Sequence, residues 1–255
     1  MRILIAPDKF KGSLGAAAVG AQIAEGLRAV LPQAALEIVP VADGGEGTAE
    51  VICRARDGER VECRAHDALG RSLRTQYVWL AAADQAVLEM SAAAGWEQLA
   101  PNERDPLRAS TFGVGEILRD AAMRRAKQIL LGLGGSTTND GGSGLARALG
   151  FRFLDAQGGE ITAAGELRNL SRIEKPNELA LPPIVAMSDV RNPLLGPHGA
   201  TRVFGPQKGA TPAQIEILEQ ALTRLADVAA ETFGCTHRDA PGAGAAGGLG
   251  FGLLT

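Results

Sequence analysis

Residues 132–150 read GLGGSTTNDGGSGLARALG, the most informative segment of the sequence. An apolar run ends in glycines, hydroxyl side chains and an Asn-Asp pair, after which an amphipathic segment resumes. This order predicts a buried strand, a polar loop and a helix. Because such a loop presents backbone N–H groups and the next helix adds its positive N-terminal end, an anion such as phosphate is favoured there.

The composition narrows the class of protein. The chain has 255 residues, enough for one large domain or two modest ones, and its 26 Lys plus Arg against 29 Asp plus Glu give a net charge of −3. That balance argues against a nucleic-acid partner. Cys53, Cys63 and Cys235 are too scattered for a disulfide framework, and no apolar run reaches the ~18 residues of a membrane span. We therefore expect a cytoplasmic protein without a membrane partner.

The distribution of glycine and the order of apolar segments predict an α/β fold. The 33 glycines gather at the ends of apolar segments, which is typical of tight turns between strands and helices. A strand at residues 2–6, a helix that Ser13 could cap, and a strand at 36–39 form a β-α-β opening. Parallel strands place ligands at their carboxyl ends, where the first two polar loops lie.

Further along the chain, apolar residues recur at every second position, as in a β-strand. Residues 61–65 and 73–79 alternate around a DALGR turn and predict a hairpin that opens a second subdomain near residue 60. Strands are also predicted at 86–90, 128–133 and 183–187. A helix is predicted over 212–233, because Thr211 and Gln214 form a capping box and Gly234 follows its end.

The first polar loop, IAPDKFKGSL at residues 5–14, offers two ammonium groups. Lys9 and Lys11 bracket Phe10, and Gly12 and Ser13 open the following helix, so these groups could converge on one anion. Solvated lysines beside an ordinary helix cap remain an alternative.

The second polar loop, PVADGGEGT at residues 40–48, combines carboxylates with glycines. Asp43 and Glu46 could hold Mg²⁺ or accept a hydroxyl hydrogen bond, and Gly44 and Gly45 allow close approach of a ligand. A plain DG turn explains the same residues.

The long glycine loop carries the largest set of candidate ligand contacts. It matches neither a Walker loop nor a dinucleotide fingerprint. We expect it to cradle phosphate or a substrate carboxylate, with Asn139 and Asp140 orienting a hydroxyl or a metal-bound water; a glycine-lined contact between two elements is the alternative. Its other candidate contacts are Gly134, Gly135, Ser136 and Thr137.

Two later loops add single candidates. Asp189 follows a predicted strand in SDVRNPLLG, where a carboxylate could act as a base or metal ligand, or could cap a local turn. Lys208, in FGPQKGA before the capped helix, could reach a phosphate or simply face solvent.

Eight strings in order resemble one family, the bacterial type I glycerate kinases, over nearly the whole chain. They are IAPDKFKGSL, PVADGGEGT, LEMSAAAG, STFGVGEIL, GLGGSTTNDGGSG, SDVRNPLLG, FGPQKGA and PGAGAAGG. The resemblance implies a glycerate 2-kinase-like enzyme that transfers phosphate from ATP, with Mg²⁺, to a hydroxyl of D-glycerate. It leaves open which hydroxyl reacts and whether the protein is a homodimer.

The resemblance also implies two α/β domains. Residues 1–60 would begin a flavodoxin-like parallel sheet, 61–240 would form an inserted mixed-sheet α/β domain, and 241–255 would start the return to the first domain. Family members continue beyond this point, so we expect a chain truncated at its C-terminus with an incomplete first sheet. A catalytically silent glycerate- or nucleotide-binding paralogue is therefore a second reading, and a metal-dependent hydroxy-acid lyase a third.

For phosphoryl transfer, the resemblance and the residue types suggest roles for individual side chains. We expect Asp189 to position the glycerate hydroxyl, with Asp43 as the rival carboxylate, and Lys9 or Lys11 to contact phosphate. Asp43 and Asp140 are the candidate metal ligands.

Overall fold

The computed structural model of the protein describes residues 1–10 and 12–255, so Lys11 lies outside the described residues. The strands are β1 (Arg2–Ile5), β2 (Ala35–Ile38), β3 (Glu59–His66), β4 (Ser72–Leu80), β5 (Gln85–Glu89), β6 (Gln128–Gly132), β7 (Arg152–Leu154), β8 (Arg172–Glu174) and β9 (Ile184–Met187). The helices are α1 (Ala16–Val30), α2 (Thr48–Ala55), α3 (Ser91–Ala94), α4 (Phe112–Met123), α5 (Ser143–Ala148), α6 (Ala200–Phe204), α7 (Pro212–Phe233) and α8 (Ala245–Leu254).

A five-stranded mixed sheet in the order β3-β4-β5-β6-β9 forms the largest layer of the fold. The hairpin predicted from the alternating pattern is confirmed, since β3 and β4 pair antiparallel from Glu59↔Trp79 to His66↔Ser72. Strands β5, β6 and β9 run parallel, so their carboxyl ends share one edge of the sheet. The α/β fold class is therefore confirmed.

The N-terminal β-α-β opening is also present, as a parallel pair of β1 and β2 connected by α1. The prediction that Ser13 caps this helix is wrong, because Gly15 occupies the N-cap position and supplies no side chain. Ser13 instead belongs to a turn in which its N–H donates to the carbonyl of Phe10. The helix therefore begins later than the sequence indicates.

Helix α2, which follows the loop after β2, connects the β1–β2 pair to the five-stranded mixed sheet. Cys53 on this helix is buried together with Val78, Leu80 and Val87 of the mixed sheet. The loop at residues 39–47 therefore runs from the end of β2 to the mixed sheet. The domain boundaries inferred from the resemblance remain predictions.

The long helix α7 agrees with its sequence signature at both ends. The Thr211 hydroxyl accepts a hydrogen bond from the N–H of Gln214, the Gln214 side chain returns one, and Gly234 ends the helix in a left-handed conformation. Its buried face packs in a second hydrophobic cluster around Leu222 and Leu225. No helix in residues 1–10 and 12–255 combines the length and apolarity needed to cross a membrane.

Candidate active site

Three loops meet at the carboxyl edge of the parallel strands. The carbonyl oxygen of Gly44 accepts a 3.1 Å hydrogen bond from the N–H of Gly134, which follows β6. The N–H of Leu133 donates to the carbonyl of Met187, the last residue of β9, at 3.1 Å. The loop after β2 therefore lies against the ends of β6 and β9.

Glycine makes this approach possible, because the contacts leave no space for side chains. A Cβ atom on Gly134 would lie 2.4 Å from the Cα of Gly45, and one on Gly44 would lie 2.6 Å from the carbonyl oxygen of Met187. Gly44 also has a φ of +90°, which residues with a side chain rarely adopt. The glycine-lined contact considered from the sequence is thus present at these positions.

Lys9 and Asp43 form an ion pair beside this contact. The Lys9 ammonium lies 3.3 Å from Oδ1 of Asp43, and the Lys9 side chain is only 13% exposed. The same oxygen accepts a 2.8 Å hydrogen bond from the N–H of Gly45. Burial raises the pKa of Asp43, but the Gly45 N–H and the Lys9 charge outweigh that effect, so the pKa lies below its usual value. The Asp43 carboxyl is therefore ionised at neutral pH.

Two cavities flank the pair. The smaller, of about 350 Å³, is lined by both Asp43 and Asp189. The larger, of about 760 Å³, is lined by Lys9, by Glu46 and by the first residues of α1. Ala42 and Val51 line both cavities, so the two spaces adjoin. Asp189 is exposed, as expected for a residue that follows β9 at this edge.

Glu46, which the sequence offered beside Asp43 as a contact for Mg²⁺ or a hydroxyl group, adds a second carboxyl group at this edge. Much of its side chain is exposed, but its carboxyl lies beside those of Glu97 and Glu89. Partial burial and these two neighbours raise the pKa of Glu46, and the nearby Lys9 charge opposes the shift. The site therefore contains one carboxyl group, Asp43, that ionises easily and one that holds its proton longer.

Most of the long glycine loop is inside the protein. The loop buries the side chains of Ser136, Thr137 and Asn139. The N–H of Thr137 donates a hydrogen bond to the carbonyl oxygen of Ala94. Gly134 is half-buried and Gly135 is exposed, so these two are the predicted contacts in this loop that solvent reaches. The buried hydroxyls of Ser136 and Thr137 line neither of the two cavities.

Asp140 is 1% exposed and acts within the protein. Its carboxylate accepts hydrogen bonds from the N–H groups of Thr111, Gly142 and Gly144, at 2.8, 3.1 and 3.1 Å, and from the Thr111 hydroxyl at 2.9 Å. These bonds join the start of α4 to the start of α5. The geometry gives Asp140 a structural role and leaves it no open face for metal or substrate.

Lys208 is buried as well, at 2% exposure. Its ammonium donates to the hydroxyl of Ser136 at 2.7 Å and to the carbonyl oxygen of Thr138 at 2.6 Å. Burial lowers the pKa of Lys208 to about 7, although the Asp140 charge acts in the opposite direction. Lys208 thus braces the glycine loop from inside and faces neither cavity.

Two sequence candidates, Ser13 and Lys11, remain. Ser13 is exposed and lines neither cavity, whereas Lys11 is outside the described residues. Sequence reasoning missed Thr48, whose hydroxyl accepts a 3.1 Å hydrogen bond from the N–H of Gly44. It also missed Glu89, although this residue stands in the quoted motif LEMSAAAG at the end of β5.

The donor set at the edge suits a magnesium ion that arrives with a phosphate ligand. Mg²⁺ keeps several waters and is usually held by one or two carboxylates plus substrate oxygens. Asp43 and Asp189 line one cavity and provide such a pair. Within the part of the chain that the structure describes, no group of three or more His, Cys, Asp or Glu could hold a metal without a ligand's help.

The fold is that of an α/β enzyme in which polar loops gather at the carboxyl ends of parallel strands. More specifically, the chain belongs to the glycerate kinase family, whose sequence model matches residues 3–255.

Named relatives agree with this assignment. The chain is 43% identical to a glycerate kinase of Bacillus subtilis, in a match that covers 100% of the chain and 68% of that protein. It is 41% identical to the glycerate 2-kinase of Escherichia coli, with the same coverage. It superimposes on the crystal structure of a protein described as a glycerate kinase 2 from Salmonella typhimurium LT2 with a TM-score of 0.86 at 43% identity, covering 100% of this chain and 69% of that one.

Proposed function

We propose that this protein catalyses the ATP-dependent, Mg²⁺-assisted phosphorylation of a hydroxyl group of D-glycerate. The observation that carries the proposal is the meeting of Lys9, Asp43 and Asp189 around two adjoining cavities. Membership of the glycerate kinase family gives the reaction class and the acceptor. Phosphoryl transfer depends mainly on positioning and on charge stabilisation, which a lysine and carboxylates on rigid strand ends can provide.

Each residue is proposed for a role that its surroundings allow. Lys9 neutralises charge on the transferred phosphoryl group, because its ammonium is held at the edge of the larger cavity by Asp43. Asp189 orients the glycerate hydroxyl from the smaller cavity, and Asp43 is the rival for this role. The N–H of Gly134 already donates to the carbonyl oxygen of Gly44. Of the two glycines, Gly135 is therefore the better candidate to donate its N–H to a phosphate or a substrate carboxylate.

The two cavities differ in a way that fits the two substrates. A volume of about 350 Å³ accommodates a three-carbon acid, and about 760 Å³ accommodates a nucleotide. We therefore assign glycerate to the Asp43–Asp189 cavity and ATP to the Lys9 cavity. Asp43 and Asp189, which line the smaller cavity, are the residues proposed to hold Mg²⁺, and the bound ion would supply positive charge to offset that of the phosphate.

An assay of coupled ADP release tests the proposal. The protein is given ATP, Mg²⁺ and D-glycerate, with glycerol and D-lactate in parallel reactions, because glycerol lacks the carboxylate and lactate lacks the terminal hydroxyl. We expect turnover with glycerate and at least a 100-fold lower kcat/KM with glycerol, since glycerol lacks the carboxylate of the proposed substrate and the contacts that this group makes. D-lactate tells which hydroxyl is the acceptor.

Two results would contradict this function. One is that calorimetry shows binding of glycerate or ATP while the protein releases no ADP. This result would favour a binding protein that lacks catalysis. The other is full turnover by both Asp189→Ala and Asp43→Ala, which would remove both proposed carboxylates from the reaction. Glu62→Ala is the control, because Glu62 is exposed on β3 of the same sheet.

A further inference from the structure

Helix α2 begins without a capping side chain of its own. Its N-cap residue is Gly47, which has a φ of 89° and makes no side-chain hydrogen bond to the helix. The hydroxyl of Thr48 faces backwards and accepts from the N–H of Gly44. The first turn of a helix exposes N–H groups that need acceptors, so α2 depends on an acceptor from elsewhere.

Glu89 supplies that acceptor from the neighbouring sheet. Its Oε1 accepts a 2.6 Å hydrogen bond from the N–H of Ala49 in the first turn of α2. Its Oε2 lies 3.4 Å from the hydroxyl of Ser91. A carboxylate at this position also interacts favourably with the positive N-terminal end of the helix. Glu89 therefore replaces the local cap with one that comes from β5.

The position of Glu89 links this cap to the site. Glu89 is the last residue of β5 and pairs with Gly132, the last residue of β6. A Cβ atom on Gly132 would lie 2.6 Å from the carbonyl oxygen of Gly44. The strand edge that carries Glu89 is thus the edge against which the Asp43 loop rests.

We propose that Glu89 is a positioning residue, which caps α2 from the mixed sheet and so holds the Asp43–Gly45 loop against the ends of β6 and β9. The inference rests on the proposed function, because the loop matters as the carrier of Asp43 and as the support of Lys9. Glu89 acts through Ala49 and the helix, and it contacts neither phosphate nor glycerate. Its charge also contributes to the raised pKa of the nearby Glu46.

Three variants separate this role from others. Glu89→Gln keeps an oxygen that accepts from Ala49, Glu89→Ala removes it, and Glu62→Ala on the same sheet is the matched control. We expect Glu89→Ala to lower kcat about 10- to 100-fold, because small displacements of positioned groups have effects of that size. Glu89→Gln should stay within about 3-fold of wild type, since the amide oxygen restores the cap.

Hydrogen–deuterium exchange provides a readout that does not depend on catalysis. Amide exchange in the peptide that spans residues 44–55 should accelerate in Glu89→Ala and should match wild type in Glu89→Gln and Glu62→Ala. This readout stands even if the wild-type protein fails to phosphorylate glycerate, so failure of the proposed function is distinguished from failure of the capping role.

Two outcomes would overturn the inference. Wild-type kcat and wild-type exchange in Glu89→Ala would show that the cap is dispensable. Equal loss of kcat in Glu89→Gln and Glu89→Ala, with exchange unchanged in both, would show that the negative charge acts directly on a ligand.

Discussion

The N–H of Gly134 donates a 3.1 Å hydrogen bond to the carbonyl oxygen of Gly44, which joins the loop after β6 to the loop that carries Asp43. The bond fixes Asp43 relative to the mixed sheet, and Lys9 is in turn held by Asp43. The candidate site is therefore assembled from segments far apart in the chain by contacts that only glycine permits.

Replacement of Gly134 by alanine should separate these loops. The new Cβ would meet the Cα of Gly45 at 2.4 Å, so backbone has to move. We expect kcat/KM for glycerate phosphorylation to fall about 100-fold, which is the size of effect that a 1 Å misplacement causes. Steady-state kinetics of the purified variant provide the measurement.

Gly26→Ala is the matched control for Gly134→Ala. Gly26 lies inside α1, and beyond the adjacent residues and the backbone of its own helix no atom lies within 4 Å of its Cβ position. Alanine there should leave kcat/KM unchanged and stabilise the protein by about 0.5–1 kcal/mol. Wild-type kinetics in Gly134→Ala would show that the close contact does not position the site.

Lys9→Met tests the electrostatic link between Lys9 and Asp43. The Lys9 charge helps to keep the pKa of Asp43 below its usual value, so loss of that charge raises the pKa. If Asp43 must be ionised, the acid limb of the pH profile of kcat/KM moves to higher pH in the variant. Lys127→Met, at an exposed lysine, should not move it. An acid limb unchanged by Lys9→Met would exclude Asp43 as the essential carboxylate and favour Asp189.

Lys208 predicts a specific dependence of stability on pH. Its pKa is about 7 in the folded protein and about 10.5 in the unfolded chain, so unfolding takes up a proton between these values. A proton taken up on unfolding makes the free energy of unfolding rise with pH, and the rise begins near pH 7. Lys208→Met lacks this contribution, so the difference in stability between wild type and variant should increase from pH 7 to pH 9.

Denaturant melts at several pH values measure that difference. Burial raises the pKa of Cys63 to about 11 and raises that of Tyr77 as well, and both effects lower stability at alkaline pH. They are common to both proteins and cancel in the difference. A difference that is constant from pH 7 to pH 9 would mean that Lys208 keeps an ordinary pKa in the folded state.

Asp140→Ala should act mainly by lowering the free energy of unfolding, because Asp140 has a structural role. It leaves the buried N–H groups of Thr111, Gly142 and Gly144 without acceptors, and we expect a loss of about 3–5 kcal/mol. Asp227→Ala, which removes a partly exposed ion pair with Arg238, should cost about 1 kcal/mol or less. Chemical denaturation measures both. Unchanged stability together with a higher requirement for Mg²⁺ would instead identify Asp140 as a metal ligand.

Sequence patterns correctly predicted those helices and strands that are determined by residues close together in the chain. The capping box of Thr211 and Gln214 located α7, and the alternation of residues around 61–79 located the β3–β4 hairpin. Helix α1 was misplaced at its start because Ser13, a good capping residue, is held in a turn with Phe10.

The burial of the glycine loop could not be predicted from the same patterns. Its hydroxyl and carboxylate groups resemble those of a ligand site, yet Asp140 and Ser136 are matched by partners from Thr111 and Lys208. These partners come from distant parts of the chain, so only the folded structure distinguishes internal bracing from an open cradle. Glu89 was missed for the same reason, since its partner is the N–H of Ala49.

A crystal structure of the protein with D-glycerate, Mg²⁺ and a non-hydrolysable ATP analogue would show whether Lys9, Asp43 and Asp189 surround the reacting groups. We expect the terminal phosphate to lie within hydrogen-bond distance of the Lys9 ammonium, and a glycerate hydroxyl to lie within reach of Asp189 or Asp43. Ligands bound away from both cavities, with neither Lys9 nor these carboxylates in contact, would contradict this expectation.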